Sequence, residues 1–224
     1  MCIEALSRIA VPIFFMITGY FYVDIQNQKR ELSQIKKVLL LCVFSNVLYF
    51  LWKLFWELCE GSVQIHSLLV QMFNPKSLLK LLAFNQSPFR ESLWYFSAIL
   101  YVLIIIYFLN RVFANNSGRI LLIVTPFLLL MNLVFGNYSL LLLQRTFPLF
   151  VTRNFLFVGI PYFSLGLFLR KHKNYIAAFN GKHISLILST LFFAFTTIVE
   201  LFLANRFGFI ANKDHFISTT FLSI

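Results

Sequence analysis

The sequence predicts an all-α fold, a polytopic bundle of transmembrane helices, and three observations carry the prediction. Apolar residues make up 59% of the 224-residue chain, charged residues only 12%, and the mean hydropathy is +0.80; a soluble domain of this length has no core large enough for that much apolar surface. The apolar residues fall in separate runs that approach the roughly 20 residues a helix needs to cross a bilayer with its backbone polar groups satisfied internally. The cations gather in the linkers between those runs.

Six complete spans are expected, followed by a seventh that is cut off. The first, Ala5 to Val23, is rich in aromatics and carries Pro12 and Gly19; it lacks the basic leader and small-residue cleavage site of a secretory signal. The second runs from Val38 to Trp56 and the third from Leu93 to Leu109. The fourth covers Ile120 to Phe135, the fifth Phe155 to Leu169, with Pro161 and Gly166 inside it, and the sixth Ile184 to Ala204. The last run opens at Phe216 and stops at Ile224, too short to cross. Prolines 12 and 161 are expected to kink their spans, and Gly19 and Gly166 to allow close helix contact.

Linker charge sets the expected orientation. Lys29, Arg30, Lys36 and Lys37 follow the first span, and the positive-inside rule makes that side cytoplasmic. Alternation then places Arg111, Arg119, Arg170, Lys171, Lys173 and Lys182 inside as well, ten cations against eight outside. The N-terminus is accordingly expected outside, as it would be if an upstream span were missing. Between the second and third spans, residues 57–92 form the longest outer loop, and Ser67 to Phe84 has the leucine spacing of a helix lying at the interface or of a re-entrant or amphipathic loop packed on the bundle. The net charge of +11 is assigned to linker anchoring and anionic headgroups rather than to nucleic acid. Cys2, Cys42 and Cys59 have no CxxC spacing and are read as packing residues, so no metal site is expected.

Three segments resemble the acyltransferase 3 family of bacterial membrane enzymes. One is Ser7 to Tyr22, where Pro12, Phe14, Phe15, Thr18, Gly19, Tyr20 and Phe21 follow the family's proline, paired phenylalanine, small residue, glycine, aromatic order. Thr18 stands where the family usually has serine. The others are Ser92 to Tyr107, with its leucine-tryptophan-aromatic opening, and Arg153 to Lys171, with an aromatic, a glycine and then basic residues. The resemblance covers about Arg8 to Ala204 and implies the interior of a fold that in the family has more spans, with the first and last missing here.

The resemblance implies transfer of an acyl group, in the first instance acetyl, from acyl-CoA to a hydroxyl of a cell-surface carbohydrate at the inner membrane of a bacterium. It implies acyl-CoA as co-substrate with no bound cofactor, and membrane lipids and a glycan acceptor as partners. The family's catalytic histidine lies on an earlier span with no counterpart here, so the catalytic residues are unassigned and a truncated, inactive product is one reading. Lys36 and Lys37 are candidates for the CoA phosphates, or ordinary inner anchors. Arg153 and Arg8 are candidates for orienting a carbonyl or sugar oxygen, or interfacial anchors. Glu200, a carboxylate near the outer end of the sixth span, is a candidate on its own account, because carboxylates in spans face bundle interiors or water. A small-molecule transporter or flippase component is the alternative, for which paired broken helices would be the sign.

Overall fold

The computed structural model describes residues 10–59, 93–113, 117–136, 138–174 and 183–207, with a few single positions between 60 and 92 and at 220. Arg8, all of the seventh run but Thr220, and most of the expected interfacial helix lie outside the described residues. Every described element is helical: α1 (Ala10–Asn27), α2 (Glu31–Cys59), α3 (Trp94–Phe113), α4 (Ser117–Phe135), two short turns α5 (Ser139–Leu143) and α6 (Leu149–Thr152), a π-helical turn (Phe155–Gly159), α7 (Ile160–Lys171) and α8 (His183–Phe207). Three of these, α2, α3 and α4, are long and apolar enough to cross a membrane. The fold is therefore all-α with three membrane-length helices, a coarser count than the six spans and a remnant read from the sequence.

Two boundaries differ from expectation for physical reasons. Helix α2 begins at Glu31, seven residues before the apolar run, and at 29 residues it is about 43 Å long against a hydrocarbon core of about 30 Å. Its polar first turns, which include Lys36 and Lys37, thus belong to the helix and project from the apolar layer; only Gln28 to Arg30 remains as linker, with Lys29 in the left-handed region at φ 55°. The fifth run is not one regular helix. Pro161 lacks an N–H and crowds the carbonyl four residues back, and just before it the chain takes a wider π turn over Phe155–Gly159 before α7 becomes regular.

The core lies between α1, α3, α4, the π turn and α7, where α7 packs chiefly on α1 and next on α4. Phe15, Val102, Leu103, Val158 and Phe163 are fully enclosed there. Around the core the large apolar side chains point outward: Leu40, Phe44, Trp52 and Trp56 on α2, Ile123 and Phe127 on α4, Leu191 and Phe195 on α8. That is the arrangement of a protein whose solvent is lipid. Helix α2 has no buried residue at all.

The tightest contact is backbone to backbone. A methyl group added to Gly19 of α1 would overlap the Phe163 carbonyl of α7, and one added to Gly166 would overlap the Met16 carbonyl and the Tyr20 amide. In lipid there is little hydrophobic drive between helices, so close approach at small residues supplies the association. Gly118 is different, since a methyl there meets only Lys171 Nζ at 2.9 Å, the end of a flexible side chain. Gly19→Ala and Gly166→Ala are each expected to cost about 1–3 kcal/mol of stability through overpacking, while Gly118→Ala is neutral; thermal unfolding in detergent checks this, and equal tolerance at all three positions would contradict the contact.

Candidate functional site

The segments that carry the family resemblance meet in space. On α1, Pro12, Phe15, Met16, Gly19 and Tyr22 are buried, the i, i+3, i+4 positions of one helix face, while Phe14 and Phe21 point outward. That buried face meets Tyr162, Phe163 and Gly166 of α7, which are also buried. From α3 the rings of Trp94 and Tyr95 lie on Phe15, with centroids 6.3 and 4.9 Å away. Thr18, the departure from the family pattern, uses its hydroxyl within its own helix, donating to the Phe14 carbonyl at 2.7 Å.

At one end of this contact, the end expected to be cytoplasmic, two polar groupings tie five helices. Arg170 of α7 donates to the Asp24 carboxylate of α1 at 2.6 Å and lies over the Tyr20 ring, 5.1 Å from its centroid. Hydrogen bonding to Asp24, and then to Tyr20, raises the pKa of the Arg170 guanidinium, just beyond the expected fifth span, above its ordinary value. Beside it, the buried Tyr22 donates to Glu31 at the start of α2 at 2.7 Å; Asn110 of α3 donates to the same oxygen at 3.4 Å, and Ser117 of α4 donates to Asn110 at 2.5 Å. The sequence places Asp24 and Glu31 in view, two of only eight acids in the chain, but Asp24 pairs with a residue 146 positions away and Glu31, besides the nearby Tyr22, with one 79 away. Lys36 and Lys37 stand exposed on α2, one to two turns beyond Glu31.

The opposite end is built on asparagine. Asn154 precedes the π turn and its Oδ1 accepts from the Leu156 and Phe157 amides, each at 2.9 Å, while its Nδ2 donates to Val151 O at 2.7 Å. Asn85, from the segment between α2 and α3, is fully buried and joins Phe155 to Trp94. Nearby, Lys80 lies over the Phe150 ring at 5.2 Å, and Tyr101 donates to Leu81 O at 3.0 Å. Arg153, half-buried, occupies the position between α6 and Asn154. The structure therefore separates the sequence candidates: Lys36 and Lys37 lie at one end of the bundle and Arg153 at the other. Glu200 is half-buried on α8, and Arg8 falls outside the described residues.

His172 closes α7 at the Arg170 end, half-buried, with Nδ1 3.0 Å from Phe168 O and its ring 4.2 Å from that of Phe168. It is remote from Arg153 along the whole of α7. Asn46 donates to Cys42 O on its own helix at 2.7 Å, and Cys42 Sγ lies 3.6 Å from Ser97 Oγ of α3.

A bundle with an apolar exterior, glycine-mediated core packing and polar groups concentrated at its two ends defines an integral membrane protein of the multi-helix class. The sequence matches the acyltransferase domain of the acyltransferase 3 family over residues 1–224, and the chain belongs to that family. No curated protein and no solved structure matches it.

The polar junction at the α1–α2 end is expected to act as a unit. Tyr22→Phe should lose about 1–2 kcal/mol because Glu31 forfeits a donor, and a double-mutant cycle with Glu31→Gln should show coupling of similar size; strictly additive unfolding energies would contradict the bond.

Proposed function

We propose that the chain transfers an acyl group, in the first instance acetyl, from acyl-CoA to a hydroxyl of a cell-surface carbohydrate, working across the bacterial inner membrane. Membership of the acyltransferase 3 family along residues 1–224 carries this reading. The two ends of the bundle favour it further, because they differ in chemistry in the way the two substrates require.

The Arg170 end gathers Arg30, Lys36, Lys37, Arg111, Arg119 and Lys171, all exposed. Clustering at one end supports assigning it to the cytoplasm, with the N-terminus of α1 outside and six spans plus a seventh run as the full reading of this sequence. On that side acyl-CoA is met as the co-substrate, and Lys36 and Lys37 attract its phosphates as point charges. At the far end the Arg153 guanidinium orients a carbonyl or a sugar oxygen of the acceptor through its fork of donors. Glu200 is assigned to the same acceptor side from its place near the outer end of its span. The membrane lipids and a glycan are the partners this requires.

A transporter or flippase component is the other class considered. The one broken helix among the described residues is the Phe155–Ile160 segment, and a second, matching break of the kind that transport folds pair at the midplane is not seen among those residues.

Membranes containing the full chain, supplied with acetyl-CoA labelled in the acetyl group, are expected to place label on surface glycan as an ester. Arg153→Ala should lower kcat/KM for the acceptor about 10- to 100-fold, the size of a lost charge-assisted hydrogen bond, with Arg153→Lys intermediate. Label that crosses the membrane without becoming glycan-bound would overturn the transferase reading in favour of transport.

A further inference from the structure

The first amide groups of a helix have no partner inside it, and at the start of the π turn two asparagines account for them. Asn154 takes the Leu156 and Phe157 amides. The Phe155 amide goes to Asn85, a residue 70 positions earlier in the chain, at 3.0 Å, and the same side chain donates to the Trp94 carbonyl at 3.0 Å. Asn85 is 0% exposed and holds φ 51°, the left-handed conformation that asparagine tolerates better than most residues. Backbone and side chain are thus both committed to joining the start of α3 to the start of the π turn. With these amides occupied, the turn offers no free N–H to an incoming oxygen from Phe155 to Phe157. Polar recognition at this mouth therefore falls to neighbouring side chains, and Arg153 is two residues from the amide that Asn85 holds.

We propose that Asn85 is a positioning residue for the acceptor: by clamping Phe155 against Trp94 it sets where Arg153 stands at the acceptor mouth. This deepens the function proposed above and rests on it. The clamp lies at the opposite end of the bundle from Lys36 and Lys37, so its loss acts on one substrate and spares the other. A residue needed only for folding would not divide the two substrates in that way.

Two variants separate side chain from backbone. Asn85→Gly keeps the left-handed conformation and removes both hydrogen bonds, whereas Asn85→Asp retains an oxygen for the Phe155 amide. In membranes containing the full chain, Asn85→Gly is expected to raise the acceptor KM about tenfold while the acetyl-CoA KM stays within about twofold, and Asn85→Asp to recover most of the loss. Equal changes in both KM values, or none in either, overturn the acceptor role. Exchange of the Phe155 amide, measured on the detergent-solubilised chain, needs no activity: about tenfold faster exchange in Asn85→Gly and slow exchange in Asn85→Asp support the clamp, and an unchanged rate overturns it. A wild-type chain that acylates no glycan sinks the proposed function and the acceptor role together, and the amide exchange still decides the clamp by itself.

Discussion

The bundle depends on the crossing of α1 and α7, where Gly19 and Gly166 let two backbones touch. Each glycine faces a main-chain carbonyl of the other helix, which cannot rotate away as a side-chain end would. The crossing fixes both the separation of the two helices and their register. Register is what brings Asp24 opposite Arg170 one or two turns further on, and what seats Phe15 against Gly159 and Val102. Helices α3 and α4 pack around this pair, and α2 joins with no buried residue of its own.

From that crossing the two ends acquire different characters. At one, Arg170, Asp24, Tyr22, Glu31, Asn110 and Ser117 connect α1, α2, α3, α4 and α7 through charge-assisted and neutral hydrogen bonds. The Arg170–Asp24 pair is partly exposed, where water competes and an ion pair alone contributes little, while the bond from the buried Tyr22 is worth more; together the bonds tie five helix ends beside a field of exposed cations. At the other end, Asn85 and Asn154 replace charge with amide hydrogen bonds in a buried setting, where an unmade bond is costly. A rigid, neutral frame with Arg153 at its edge is suited to presenting a single guanidinium. A basic, solvated end is suited to gathering a polyanionic carrier.

Much of this was legible in the sequence, and what was not has physical reasons. Apolar runs of membrane length located α3 and α4 to within a few residues, because in lipid composition dictates helix almost without competition. The glycines were recognisable as contact points, and the Phe15–Gly19 and Tyr162–Gly166 stretches drew the family resemblance because they form the face on which the fold turns. The start of α2 was misplaced, since hydropathy marks where the bilayer begins and not where the helix does. Pro161 announced a disturbance in the fifth run but not its form, which is a widened turn capped from outside. Asn85 left no signal beyond its type: its value comes from Trp94 and Phe155, and nothing in its neighbourhood in the chain points to either. The pairing of Asp24 with Arg170 was hidden for the same reason, although an acid at the end of an apolar run and a base at the end of another are the residues to test for such a pairing.

The register of the α1–α7 crossing is the central claim, and exchanging its ion pair tests it most directly. Asp24→Arg and Arg170→Asp, made singly, each place like charges together and should lower the unfolding temperature of the detergent-solubilised chain. Made together, they restore an opposite pair at the same two positions, and the doubly substituted chain should regain most of the lost stability. If the double variant is no more stable than the sum of the single losses predicts, the two helix ends are not held opposite one another and the crossing described here is wrong.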